Sequence, residues 1–408
     1  MNFILKKCKN TLGVALHGET IFDACLFDVG GKEGSLALLT GSEDCSSRVS
    51  LWRGGILVSS KLLPAQESGV RAVCHCRSIS GGSTLAAVSG AKLNTQFFLV
   101  HDLKERPAPS ASGCDTDDFS VELLGHGSPS KSASIDHRIN AVKAFPLHVV
   151  DGGNDAYLVA TGDSNGSCYL YRVLHNPPKK KKTIAGLLLC KEARPILSLD
   201  MVSAGDPRQI LLVIGTNEGD VSVRDISSFV DSSGLDLCEE ITNSATLACY
   251  RAHSMATNAI SAQVLQGQHS SNKIVLRLCS GGDDQAVCCC DLEILTGDSS
   301  GRLRSIQSPR VETRREAALS AIRGINWIDG NRFVTTGYDQ RLTLWQWEND
   351  GSINKHEDIF VDVGDINCLA CSTNRQDGKY EIAIGGVGIE FFSVNVKNES
   401  QVQCIGDI

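Results

Sequence analysis

The sequence lacks the long apolar runs of a membrane protein, and its first residues do not have the pattern expected of a secretory leader. No stretch reaches the ~18 consecutive apolar residues that a membrane helix needs. A short apolar start is followed at once by Lys6 and Lys7, which does not fit a secretory signal peptide. We therefore expect a cytoplasmic protein that makes no membrane contact and keeps its cysteines reduced.

Positive charge and aromatic residues are also scarce. The formal net charge is −8, which argues against a uniformly basic nucleic-acid binder but leaves room for a local basic patch. Aromatic residues make up 5% of the chain, and no segment interleaves them with basic residues as surfaces for single-stranded nucleic acid do.

The chain contains 17 cysteines, but their arrangement does not indicate a metal site or a redox site. Many cysteines lie in strand-like runs such as Ala286–Leu292, where free cysteine packs as a small apolar residue. Cys368 and Cys371 form an isolated CxxC whose members would face opposite sides of a strand. The Gly-rich phrase at 385–388 is not followed by the Lys-Ser/Thr of a phosphate loop. We predict no catalytic, metal or cofactor-binding residues and no small-molecule substrate.

A short phrase that returns seven times determines the architecture. Each copy is an apolar run, then a small residue, then usually an acidic or amide residue at a turn, and most are followed by a second β-type run. The copies lie at 36–44, 85–90, 157–165, 210–218, 275–284, 332–339 and 382–388. Their spacing exceeds the roughly 40–45 residues of a WD-repeat blade, because polar insertions separate the strands. These insertions lie at 104–136, 176–182, 227–243 and 297–307.

The repeat predicts an all-β protein, a seven-bladed WD-repeat β-propeller with long polar loop insertions. The whole chain, 1–408, would form this single domain. We expect the segment Asn10–Leu16 to close the ring as the outer strand of the last blade. The predicted blades lie near 17–63, 69–124, 137–190, 194–250, 253–313, 320–362 and 364–395.

Three histidines recur at matching places in their blades and suggest catalysis at first sight. The predicted pairs are His17 with Asp44, His137 with Asn165, and His253 with Asp284. A histidine before the first strand can hydrogen-bond the turn of its own blade and so satisfy two buried polar groups. An active site would occur once, whereas these pairs occur once per blade. We therefore predict a structural role for all three.

Two basic clusters stand out in this acidic chain as candidate nucleic-acid contacts, since basic loops attract a phosphate backbone. The simpler alternative is a solvated loop; Glu312 and Glu316 partly neutralise the arginines, and the lysines also fit a nuclear-localisation signal. The clusters comprise Lys179, Lys180, Lys181 and Lys182, and Arg302, Arg304, Arg310, Arg314 and Arg315.

Several phrases, taken in order, resemble one family more closely than WD-repeat proteins in general. The phrases are HGETIFDACLF with LLTGSEDCSSRVSLW, GVRAVCHC with LAAVSGAKLNTQFFLV, RAHSMATNAISAQVL with LCSGGDDQAV, AIRGINWI with FVTTGYDQRLTLWQW, and FVDVGDINCLACS with EIAIGGVGIEFFSV. The family that they resemble is the WD-repeat scaffold subunit of the tRNA ribose 2′-O-methyltransferase that modifies the wobble nucleotide of the anticodon loop, and the resemblance implies that the two basic clusters contact tRNA. The resemblance covers nearly the whole chain and includes a blade without its Trp and Asp and an unusual last blade.

The resemblance implies a non-catalytic subunit. It would bind the methyltransferase catalytic subunit, which carries S-adenosylmethionine, and would help to position the anticodon region of tRNA for methylation at nucleotide 34. Family members carry further propellers upstream, and this chain resembles the last one.

Two alternatives remain open. One is a generic protein-interaction propeller, such as an adaptor or trafficking scaffold. The other is a propeller enzyme, which would need a single inward cluster of acids or metal ligands.

Overall fold

The computed structural model describes most of the chain, with gaps that fall between strands or at the ends. The described residues are 3–7, 16–30, 35–90, 92, 94–103, 119–129, 137–147, 155–175, 183–204, 209–229, 244–266, 273–295, 303–305, 308–348, 350–372 and 379–396. Within these ranges the regular structure is strand, apart from one 3₁₀ turn at Ser227–Phe229.

The strands follow one another in groups of about four. The first groups are β1 (Phe3–Lys7); β2 (Ile21–Asp28), β3 (Ser35–Ser42), β4 (Ser47–Arg53) and β5 (Ile56–Leu62); β6 (Val70–Arg77), β7 (Ser83–Gly90), β8 (Thr95–His101) and β9 (Val121–Pro129); β10 (Ile139–Leu147), β11 (Ala156–Asp163), β12 (Ser167–Leu174) and β13 (Thr183–Lys191). The later groups are β14 (Ile196–Ser203), β15 (Ile210–Thr216), β16 (Asp220–Asp225) and β17 (Ala245–Arg251); β18 (Thr257–Gln266), β19 (Lys273–Gly282), β20 (Val287–Leu295), β21 (Arg304–Ser305) and β22 (Arg310–Arg314); β23 (Ile322–Trp327), β24 (Arg332–Gly337), β25 (Arg341–Trp347) and β26 (Ile353–Phe360); β27 (Gly364–Cys371) and β28 (Lys379–Val396).

Strand pairing arranges these groups as seven antiparallel blades around one axis. Within each blade, consecutive strands are neighbours. The first strands, β2, β6, β10, β14, β18, β23 and β27, each pack against the first strands of the two adjacent blades, and β27 packs against β2, so the ring is closed. The predicted all-β propeller is therefore confirmed, and its strand pairing gives seven blades.

The core lies between blades rather than within them. Every residue of the second strands β3, β7 and β11 is buried, because a blade covers each face. Such strands read as continuous apolar runs, which is why the repeat phrase was visible in the sequence. Between blades two and three, for example, Leu85 and Phe97 pack with Tyr157 and Tyr171.

Ring closure differs from the prediction. The outer strand of the last blade is β1, which pairs with the second half of β28 from Phe3 opposite Val396 to Lys7 opposite Phe392. This corrects the expected closure by Asn10–Leu16; residues 10–15 lie outside the described ranges. Packing and charge both fix β1 in place. Leu5 is buried among apolar residues of blades six and seven, and Lys7 forms ion pairs with Asp362 and Glu390.

Blades two and three are joined at their outer edges. The outer strands β9 and β13 pair in parallel, from Thr183 opposite His126 to Gly186 opposite Pro129, and make one eight-stranded sheet. Two glycines allow the close approach. A Cβ atom would lie 2.8 Å from the buried Tyr171 ring at Gly127 and 2.6 Å from it at Gly186. The pairing satisfies two outer edges that would otherwise be open to other strands.

Candidate functional site

His253 is held by hydrogen bonds at both ring nitrogens. Nδ1 lies 2.9 Å from Asp284 Oδ1 and Nε2 lies 2.9 Å from Ser280 Oγ, with the residue 2% exposed. The other oxygen of Asp284 accepts a hydrogen bond from Ser254 N at 2.8 Å. Burial lowers the pKa of His253, although the Asp284 carboxylate opposes this. The neutral ring thus ties the segment before β18 to the turn after β19.

His17 makes the equivalent tie in blade one. Nδ1 lies 2.8 Å from Ser46 Oγ and 3.4 Å from Asp44 Oδ2, and Nε2 lies 2.8 Å from Thr40 Oγ1. Burial opposes ionisation of Asp44, but hydrogen bonds from Ser46 and Gly18 outweigh it and lower the pKa of Asp44 to about 2.

The third predicted pair needs a correction. The acidic group beside His137 is Asp163, whose Oδ2 lies 3.7 Å from His137 Nδ1, and not Asn165. Asp163 Oδ1 accepts hydrogen bonds from Asn165 N at 2.9 Å and Ser167 N at 2.7 Å. In this turn the carboxylate lies two residues before the amide. The matching position in the repeat, Asn165, is therefore not the one that carries the acidic group.

These histidines lie on one end of the ring, which we call the upper face. It carries the turns between the second and third strands of the blades and the segments that lead into the first strands. His17 and His253 use both ring nitrogens to fix these segments, and their side chains are fully buried, so neither ring is placed to act as an acid or base on a bound substrate.

The first strand of every blade contains a β-bulge close to the upper face. In six blades the bulge displaces one residue, whose side chain turns toward the ring axis; in the last blade the register breaks over residues 365–367, of which Asn367 lines the axis. The seven side chains line a cavity of about 270 Å³. They are Phe22, Arg71, Asn140, Leu197, Asn258, Arg323 and Asn367. Sequence reasoning missed this set, although all lie near the start of the first strands and aligning those strands would have shown them together.

Three arginines surround the mouth of this cavity. The Arg71 guanidinium lies 3.9 Å from the centre of the Phe22 ring, and that of Arg323 lies 5.5 Å from the centre of the Tyr338 ring. Arg138, exposed, directly precedes β10. Among the described residues, no carboxylate lies within ion-pair distance of any of the three. Burial lowers the pKa of Arg71, Glu43 opposes this, and Arg138 and Arg323 lower it further.

Near the ring axis, two buried carboxylates link neighbouring blades. Asp200 Oδ1 lies 2.7 Å from Lys143 Nζ, and its Oδ2 accepts a hydrogen bond from Ala262 N at 2.7 Å in the next blade. Asp23 Oδ2 similarly accepts a hydrogen bond from Val73 N at 2.8 Å. Burial raises the pKa of Asp23 to about 7, against the hydrogen bonds that it accepts. These links stiffen the ring at its axis.

The cysteines of the first strands behave as apolar residues. Burial raises the pKa of the Cys74 thiol to about 12 and that of Cys368 well above its usual value. Cys368 and Cys371 pack in different apolar clusters on opposite sides of β27. Within the described ranges, no group of three or more His, Cys, Asp or Glu side chains is arranged to hold a metal ion.

The predicted basic clusters are only partly described. Lys179–Lys182 and Arg302 lie outside the described residues. Arg304 pairs with Leu295 at the end of the third strand, whereas Arg314 pairs with Val287 at its start. Arg310 donates from Nη2 to Asp350 O at 2.7 Å. The described arginines, including the exposed Arg315, therefore extend along the outer edge of blade five from the lower end to the upper face.

Comparison with known proteins identifies the fold. No family model and no curated protein matches the chain. Among solved structures, the chain is similar to the WD40 β-propeller domain of Doa1, with 12% identical residues and a TM-score of 0.53, over 98% of this chain and 99% of that chain. This likeness shows a WD40-type β-propeller fold. The part of the chain that the structure describes contains no helix that could cross a membrane.

Proposed function

We propose that the chain is a non-catalytic scaffold subunit that binds a tRNA 2′-O-methyltransferase and helps to position tRNA for ribose methylation at wobble nucleotide 34. The catalytic subunit would carry S-adenosylmethionine. The complex would act on the anticodon region in the cytoplasm, and this chain would contribute binding surfaces instead of reacting groups.

The observation that carries the proposal is the ordered set of imperfect repeats. The LAAVSG copy, which has no acidic turn residue, is the second strand β7, and the Gly-Gly-Val-Gly copy lies within β28 of the last blade. Blade two keeps full strand pairing in spite of its unusual turn. The missing acidic turn residue therefore leaves the strand pairing of blade two intact, and the order of the imperfect repeats along the chain is what resembles the tRNA-methylation scaffold.

The geometry supports a scaffold. Buried groups such as Asp23 and Asp200 link adjacent blades, so the ring presents its faces and edges in a fixed relation. Holding an enzyme and its substrate in fixed relative positions lowers the entropic barrier to their reaction.

One observation favours a second candidate, the generic protein-interaction propeller without a tRNA role. The described arginines are distributed along one blade edge, with Arg310 occupied by Asp350, and do not converge on one rim. Such a distribution also fits an ordinary solvated edge.

The direct test is to tag the chain in its own cells, identify the proteins bound to it and measure ribose methylation at the wobble position by mass spectrometry of tRNA. We expect a methyltransferase among the bound proteins and loss of the modification when the gene is deleted, with recovery when it is restored. Unchanged wobble methylation after deletion, with no methyltransferase bound, would leave the generic propeller as the better interpretation.

The role of the basic edge is tested separately. Replacing Arg302, Arg304, Arg310, Arg314 and Arg315 with Ala should weaken tRNA binding and reduce its salt dependence, with the log–log slope falling by about one unit for each phosphate that is no longer neutralised. A matched control removes five cations that have acidic partners, and it should change tRNA affinity much less. The control replaces Lys92, Arg194, Lys273, Lys355 and Lys379. Equal effects in the two variants would mean that net charge alone governs binding.

A further inference from the structure

The upper face over blades five to seven exposes an arc of large apolar side chains. Met255 is 54% exposed, Leu319 80%, Tyr338 46% and Val387 60%. All four lie in segments that enter the first strands or in turns between second and third strands. A single exposed apolar residue is ordinary, but four on the same face of three adjacent blades offer apolar contact area to a protein partner.

Hydrogen bonds fix the arc in position. Leu319 N donates to Asp339 Oδ2 at 3.1 Å, which holds the segment before β23 against the turn after β24. Tyr338 Oη donates to Asn367 Oδ1 at 3.2 Å and so connects blade six to blade seven. A surface that is rigid before binding loses little conformational entropy when it binds.

The arc adjoins positive charge that forms no ion pair with a described carboxylate, although Glu43 acts on Arg71 from a greater distance. Arg323 stacks on Tyr338 and faces the cavity mouth together with Arg71 and, nearby, Arg138. Guanidinium groups favour bidentate pairing with carboxylates, and here the described residues supply none within reach. The arrangement is therefore complementary to an anion that enters at the centre of the face.

The surrounding rim discriminates between kinds of anion. The carboxylates of Asp44, Asp284 and Asp339 lie around the centre, each holding its own turn by hydrogen bonds, and Asp283 accepts a hydrogen bond from Asn258 at the mouth. An extended polyanion such as RNA would bring many negative charges past this acidic rim. A peptide with one carboxylate among apolar residues would bring only one. The cavity of about 270 Å³ is just below the roughly 300–1,000 Å³ of typical ligand pockets, which suits a side chain.

We infer that the upper face binds a peptide segment of a partner protein in which one Asp or Glu is flanked by apolar or aromatic residues. The carboxylate pairs with Arg71 and Arg323 at the cavity mouth, and the flanking side chains cover Leu319, Tyr338 and the rest of the arc. This goes beyond the proposed function and holds whether or not the chain serves tRNA methylation.

The test uses the whole chain and three synthetic peptide pools, with binding followed by fluorescence anisotropy. One pool has a central Glu with apolar flanks, the second a central Gln with the same flanks, and the third a central Glu with Ser flanks. We expect the first pool to bind on the order of tenfold more tightly than the other two, because it alone supplies both the charge and the apolar contact. No binding, or equal binding of the Glu and Gln pools, would overturn the inference.

Variants then locate the site. Arg71→Gln with Arg323→Gln should abolish the preference for Glu, and Leu319→Ser, at a position too exposed to affect folding, should weaken the first pool alone. Arg194→Gln, which removes an arginine paired with Glu218, and Ile56→Ser, at a position as exposed as Met255 but on an outer strand, should leave binding unchanged. Retained Glu preference in the double variant would refute the assignment. So would single-stranded RNA binding that outcompetes the peptides and is lost in that variant.

Discussion

The hydrogen bonds of His253 predict a specific loss of stability when the ring is replaced by one of similar shape without nitrogens. His253→Phe keeps an aromatic ring in a site that is 2% exposed, so little cavity is created. It removes the bonds to Asp284 Oδ1 and to Ser280 Oγ, both 2.9 Å long.

The expected magnitude follows from what each partner retains. Asp284 still accepts hydrogen bonds from Ser254 N and Ala286 N, so its loss is about 1 kcal/mol, the net value of one hydrogen bond. Ser280 is 3% exposed, and leaving its hydroxyl unsatisfied costs about 1–3 kcal/mol. The free energy of unfolding should therefore fall by about 2–4 kcal/mol.

The assay is equilibrium unfolding in urea, followed by fluorescence and circular dichroism to check that both report one transition. His101→Phe is the control, because that side chain is 36% exposed and lies 3.9 Å from its acidic neighbour Glu122. It should cost no more than about 0.5 kcal/mol. If His253→Phe costs no more than His101→Phe, the histidine does not tie the blade and the structural interpretation of the repeated pairs fails.

Two further predictions concern the blade seam and acid. Gly186→Ala would place a Cβ atom 2.6 Å from the Tyr171 ring and should destabilise the chain by about 1–3 kcal/mol in the same assay, whereas Gly364→Ala, with open space around it, should not. Burial lowers the native pKa of His17, His253 and His75, the last to about 3. The unfolded chain binds protons at these three sites below about pH 6.5, whereas the native chain binds them only at a lower pH. The free energy of unfolding should therefore fall from pH 7 to pH 5. Asp23, whose native pKa is raised to about 7, acts in the opposite direction, so the measurement is made on an Asp23→Asn variant; an unfolding midpoint that rises toward pH 5 in that variant would show that the histidines are not buried as neutral rings.

The strands that are easiest to predict from the sequence are those that are buried on both faces. Second strands such as β3 and β11 are covered on both faces, so they read as apolar runs and give the repeat directly. Outer strands are exposed on one side and carry a weaker pattern. The closing strand β1 also pairs with residues at the opposite end of the described chain, and no local signal encodes such a partner. The parallel seam between β9 and β13 depends on tertiary contact in the same way.

In the candidate site too, residues that repeat at fixed positions could be predicted from the sequence, and residues that only the ring brings together could not. The histidine pairs were visible because they repeat at fixed distances from a turn, and the one error, Asn165 for Asp163, arose where a nearby carboxylate competes for the same histidine. The bulge residues were not visible as a set, because Phe22, Arg71 and Asn140 share a position but no chemistry. Only the ring brings them together and shows that two of the seven are cations without acidic partners among the described residues.

The two proposed surfaces meet over blade five. The outer strand β22 ends at Arg314, close to the upper face, and Leu319 of the apolar arc follows within five residues. A partner protein seated on the upper face would therefore border any RNA held along the arginine edge. That adjacency is what a scaffold for an enzyme and its nucleic-acid substrate requires. The two surfaces use different residues, so the double arginine variant at the cavity mouth should spare tRNA binding while the edge variant spares peptide binding. Loss of both activities in either variant would mean that one shared surface, and not two adjoining ones, serves this protein.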